Sequence, residues 1–101
     1  PQAIVNDDGE ASLNLAKKYM QGKGVPKDYA KAVELFNQAA DKGNVEAISG
    51  LGSIYYLGRL APKDLPKAYK LTNIAAAKGY PRAIYTLGEM YRTGEGVQKN
   101  K

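Results

Sequence analysis

The sequence contains no cysteine, no histidine and no tryptophan. Without Cys and His there is no disulfide framework, no zinc held by thiolate or imidazole, no thiol catalysis and no imidazole-activated nucleophile. Long apolar runs are missing as well. The longest, such as Ile74-Ala75-Ala76-Ala77, stop far short of the roughly 20 residues a membrane-spanning helix requires. No apolar leader follows Pro1 and no initiator Met precedes it, so the chain reads as a processed form or as a piece of a longer protein. Period-two alternation is nowhere sustained, which removes strands from consideration. Acidic residues are outnumbered, 10 against 15 basic, for a net charge of +5. With 101 residues, 44% of them hydrophobic and 25% charged, the remaining classes are one small domain or a short run of repeats.

What the sequence does have is a period. Ala11, Ala47 and Ala83 lie 36 residues apart, and the register continues without a gap through Leu15, Leu51 and Leu87, then Tyr19, Tyr55 and Tyr91, then Gly22, Gly58 and Gly94. In the second half of the unit Pro26 meets Pro62, Lys27 meets Lys63 and Lys99, and Asp28 meets Asp64 and Asn100. The match runs on to Gly43 and Gly79. Segments 11–46 and 47–82 share 15 identities in 36 positions. The expected organisation is an N-terminal segment over 1–10, of which residues 1–9 could fold along the first unit, and repeats over 11–46 and 47–82. A partial third repeat covers 83–101, its first helix capping the array.

Each unit reads as two helices. Ser12, Leu15, Ala16 and Tyr19 fall at i, i+3, i+4 and i+7, one helical face; Ile48, Leu51, Gly52 and Tyr55 repeat the pattern, as do Ile84, Leu87, Gly88 and Tyr91. The small residue after each Leu lets a neighbouring helix backbone come close. First helices are expected over about 10–21, 46–57 and 82–93. Gly22, Gly58 and Gly94 stand where a left-handed residue would end each one. Second helices begin after the N-cap candidates Asp28 and Asp64 and carry the stripes Ala32, Leu35, Phe36, Ala39, Ala40 and Ala68, Leu71, Thr72, Ala75, Ala76. The short connections make neighbours antiparallel. The fold class is all-α, with five main helices.

The pattern A-x-x-x-L-[GA]-x-x-Y-x-x-G, a loop reading V-P-K-D, then K-A-x-x-L-x-x-x-A-A-x-K-G resembles the Sel-one-like repeat, a 36-residue relative of the tetratricopeptide repeat. The resemblance covers residues 11–101. It implies helical hairpins stacked into a right-handed superhelix that assembles protein complexes, mostly in bacteria. Two departures stand out. Helix B of the second unit has Leu71-Thr72 where the first has Leu35-Phe36, which predicts looser packing. The second unit also has Gly58-Arg59-Leu60-Ala61 where its neighbours have Gly22-Lys23-Gly24-Val25 and Gly94-Glu95-Gly96-Val97, which predicts a different loop conformation.

Other chemistry gives way to structural readings. The glycine loops close helices and recur at the repeat period, whereas phosphate-cradling glycines follow a strand and open a helix. Asp7, Asp8 and Glu10 fit a solvated helix start favoured by the helix dipole. Ser12, Ser49, Ser53 and the tyrosines have no base placed beside them, so the chain is read as non-catalytic, with no cofactor and no metal. Seven of the 15 basic residues recur at repeat positions (Lys27, Lys63, Lys99, Lys31, Lys67, Lys42 and Lys78), which spreads charge around the array instead of gathering it into a nucleic-acid stripe. An acidic protein partner fits that field better. Gly50, in mid-helix, should cost about 1 kcal/mol relative to Ala.

By resemblance to tetratricopeptide arrays, a concave wall is lined by first-helix residues flanking the Leu/Tyr core: here Leu13, Lys17 and Met20; Tyr56 and Leu57; Arg82, Tyr85, Glu89 and Arg92. Tyr56 and Tyr85 are the expected anchors, with Leu13, Met20 and Leu57 between them and Lys17, Arg82 and Arg92 selecting an acidic segment. Two readings of the apolar members stay open, a binding groove or ordinary core, with Leu57 the first candidate for core. The resemblance implies a non-catalytic adaptor or scaffold. The alternative is a bacterial immunity protein or envelope assembly factor that blocks or stabilises one protein partner.

Overall fold

The computed structural model describes residues 8–94, and five helices account for most of them: α1 (Glu10–Gln21), α2 (Tyr29–Asp41), α3 (Val45–Leu57), α4 (Leu65–Ala77) and α5 (Pro81–Thr93). The readings that fell on Asp7, on a segment 1–7 and on Glu95 to Lys101 lie outside the described residues. Among those described there is no strand, so the all-α reading stands.

Local signals start and stop each helix. The Asp28 and Asp64 carboxylates accept from the backbone N–H groups of Lys31 and Lys67 at 3.0 and 3.2 Å, and the Asn44 side chain accepts from Ala47 N–H at 2.9 Å. Each satisfies a first-turn donor with no partner inside its helix. Pro81 opens α5, where its missing N–H leaves nothing unpaired. Gly22, Gly58 and Gly94 close the first helices at φ 73, 70 and 77. The second helices end differently: Gly43 and Gly79 donate to Ala40 and Ala76 (both 2.9 Å), while Asn44 and Tyr80 donate to Ala39 and Ala75 (3.1 and 3.2 Å). That pair of bonds turns the chain directly into the next hairpin.

Within each hairpin, Asp28 and Asp64 also donate their own N–H to the Tyr19 and Tyr55 carbonyls, both at 3.0 Å. The two loops reach this common anchor by different routes. Gly24 has φ 76, and no residue other than glycine has positive φ among those described, so Leu60 at the matching place takes another path. The loop difference expected from Gly58-Arg59-Leu60-Ala61 is therefore real, and it turns Leu60 against the main core.

Helices pack chiefly on their chain neighbours, with α3 also touching α5. The main core joins Leu13 and Ala16 of α1, Leu35, Phe36 and Ala39 of α2, and Ala47, Leu51 and Ile54 of α3. A smaller cluster of Ile48, Ala75 and Ala83 ties α3 to α4 and α5. Gly52 is where α3 and α4 meet: a Cβ there would collide with the Thr72 hydroxyl and stand 3.2 Å from the Thr72 nitrogen. Gly50 is covered by the Phe36 ring, 3.2 Å from where a Cβ would stand. Its missing side chain makes room for the one phenylalanine. At the place where the first unit has Phe36, the second has Thr72, fully buried with no hydrogen-bond partner for its Oγ1.

Thr72→Val removes that orphaned hydroxyl while keeping its shape, and should raise stability in urea unfolding by up to about 1 kcal/mol. Gly52→Ala should lower it by about 1–3 kcal/mol through overpacking.

Candidate functional site

The first helices α1, α3 and α5 meet along one side of the array. Lys17 Nζ of α1 lies 2.7 Å from Glu46 Oε2 of α3, a half-exposed ion pair bridging two units. Beside it opens a cavity of about 260 Å³ with an apolar floor of Met20, Phe36, Ile54, Leu57 and Leu60 and a rim that includes Arg59 and Arg82. A second cavity of about 340 Å³ is walled by Tyr56, Tyr85, Thr86 and Glu89. Both share Ser53, Leu57 and Arg82, which makes them one continuous groove.

Seven of the nine residues expected here line this groove: Lys17, Met20, Tyr56, Leu57, Arg82, Tyr85 and Glu89. Leu13 does not. It is fully buried in the main core, because position 13 of α1 faces the α2 and α3 side chains and not the groove. Leu57, the first candidate for core, is instead 54% exposed. Arg92 lies outside both cavities, its Nη2 2.6 Å from Glu89 Oε1. Sequence reasoning overlooked Arg59, Leu60 and Phe36. The first two had a signal, since a leucine and an arginine replace the Gly-rich loop of the other units. Phe36 had one too, opposite a mid-helix glycine at a position with no packing reason of its own.

The charges also sort themselves differently from the expectation. Hydrogen bonding to Glu46 raises the Lys17 pKa above its ordinary 10.5. The Glu89–Arg92 hydrogen bond lowers the carboxyl and raises the guanidinium. Both cations are thus committed to internal carboxylates. Arg59 and Arg82, by contrast, have no ion-pair partner among the described residues. The groove therefore offers an apolar floor flanked by two uncommitted guanidinium groups. Among the described residues no group of His, Cys, Asp or Glu could hold a metal ion, and no helix is long and apolar enough to cross a membrane.

The Sel1 repeat family model matches residues 9–44, 45–80 and 81–101. The chain belongs to the Sel1 repeat family. Sel1 repeats are in general non-catalytic scaffolds for protein–protein interaction. A search of curated proteins matched nothing. Among solved structures, the chain is similar to a Sel1 repeat protein from Oxalobacter formigenes, with 34% identity and a TM-score of 0.82, covering 95% of this chain and 74% of that one. It is also similar to c5321, a protective antigen of uropathogenic Escherichia coli strains displaying an SLR fold, with 38% identity and a TM-score of 0.88 over 92% of this chain. The chain spans only 20% of that second protein. The Sel1 solenoid expected from the residues is the fold observed.

Leu13→Ala should cost about 2–5 kcal/mol in chemical unfolding because it empties a filled core site. Leu57→Ala should cost under about 1 kcal/mol, since more than half of its surface is already wet. The Lys17–Glu46 pair carries a pH signature. A lysine pKa raised by folding contributes stability fully below its unfolded value and loses it as pH rises through the folded one. The stability difference between the unchanged protein and Glu46→Gln, under about 1 kcal/mol for a half-exposed pair, should therefore shrink between pH 8 and pH 11.

Proposed function

We propose that this Sel1 array binds an extended or helical segment of a partner protein along the groove, seating an apolar side chain on the Met20, Phe36, Ile54, Leu57 and Leu60 floor and an acidic residue at Arg59 and Arg82. The observation carrying this reading is the contrast among the cations at the wall. Lys17 and Arg92 are neutralised internally, while Arg59 and Arg82 stand uncommitted beside apolar surface. Half-buried Tyr56 and exposed Tyr85 supply large, rigid contact area at the far end. Charge at such a rim steers association, and the apolar floor slows dissociation.

Selection of a phage-displayed random peptide library on the protein should return sequences with an aromatic or aliphatic residue next to Asp or Glu. For a recovered peptide, Tyr56→Ala should weaken binding about tenfold or more, near 1.4 kcal/mol. Arg59→Glu with Arg82→Glu should slow association and remove most of its salt dependence. Peptides that bind both variants as they bind the unchanged protein would dispose of the groove reading.

A further inference from the structure

Helix α5 starts on a residue that helix formation does not favour. Positions 8, 44 and 80 lie 36 apart and hold Asp8, Asn44 and Tyr80. The Asn44 side chain accepts from the Ala47 N–H at 2.9 Å and starts α3, whereas Tyr80 gives α5 no side-chain cap. Giving up such a cap costs helix stability. The Tyr80 hydroxyl makes no hydrogen bond among the described residues. The residue is nevertheless held in place, half-buried against the Ile48, Ala75 and Ala83 cluster. A rigid aromatic with a spare hydroxyl, where the fold itself favours Asn or Asp, is a group left over for a partner.

Tyr80 also stands where the wall changes sign. With Glu46 it lines the apolar cavity that has Arg59 and Arg82 at its rim. The same two residues wall a further hollow of about 320 Å³, whose charged members are Asp8, Glu10 and Glu46, with no cation. Glu46 is taken up by Lys17, while Asp8 and Glu10 have no ion-pair partner among the described residues. Two uncommitted guanidinium groups thus share one cavity with Tyr80, and two uncommitted carboxylates share the next. We infer that Tyr80 is the specificity-determining residue of the groove: the bound segment crosses it with its acidic residue on the arginine side, and an acidic residue on the carboxylate side is rejected. This deepens the groove reading and rests on it. Unpaired charge placed against the wrong partner supplies the discrimination, and the ring and hydroxyl of Tyr80 hold the segment in register.

The test compares the unchanged protein with a variant carrying Asp8→Asn and Glu10→Gln, which keep side-chain shape and remove both charges. Peptides selected from the random library on the unchanged protein at low ionic strength should be acidic on one side of the apolar residue only. A second acidic residue, added to such a peptide on its other flank, should weaken binding to the unchanged protein about threefold and leave binding to the variant unaltered. Tyr80→Leu should weaken the original peptide about tenfold, and Tyr80→Phe, which removes only the hydroxyl, about threefold. If circular dichroism shows Tyr80→Leu to be misfolded, the Tyr80→Phe loss decides. A second acidic residue with the same effect on both proteins, or affinity that survives the Tyr80 substitutions, would overturn the assignment. If Arg59→Glu with Arg82→Glu still weakens that peptide, the groove stands and only the role of Tyr80 falls. A selection that returns no peptide removes the groove and this inference with it.

Discussion

A helical hairpin of 36 residues has no inside of its own, and that constraint governs the rest of the molecule. Two antiparallel helices can cover only one flank of each other, so every apolar stripe depends on the hairpin before or after it. The burial of equivalent residues records this directly. Leu51, between two neighbours, is 1% exposed, whereas Leu15 of the first unit is 37% exposed. Small residues make the stacking close enough to be useful: Gly52 admits α4 and Gly50 admits the Phe36 ring.

The same constraint explains where a groove can form. Because second helices pack on their own first helices and on the next unit, the first helices converge along one side and leave a furrow between them. The second unit's loop deepens that furrow. Lacking the positive-φ glycine of the first unit's loop, it turns Leu60 against the core and sets Arg59 at the rim. This departure from the repeat thus supplies two residues of the furrow, Arg59 and Leu60, where the first unit has Lys23 and Gly24.

Polar groups divide into those used up by the architecture and those left over. Asp28, Asp64 and Asn44 are consumed by helix starts, Glu46 holds Lys17, and Glu89 holds Arg92. Arg59 and Arg82 are surplus to all of this among the described residues. A protein-interaction module is read most directly from such a remainder, because groups that no structural need explains are free to meet a partner.

Most of the backbone was legible without coordinates. A gapless period of 36, glycines at every helix end and aspartates at the second-helix starts dictated five helices and their limits to within about a residue, because capping and helix periodicity are local physics. Position 13 marks where that legibility ended. Its three occupants are Leu13, Ser49 and Tyr85, and the resemblance to tetratricopeptide arrays placed Leu13 and Tyr85 alike on the concave wall. Yet Leu13 and Ser49 are buried, and Tyr85 is 70% exposed. Their fates differ because burial there depends on which neighbouring helices surround each unit, and ion pairing at Lys17 and Arg92 depends likewise on rotamers set by packing. The linear order of residues decided the hairpins; only the stacking of one on another decided which side chains, Arg59 and Arg82 among them, were left facing outward.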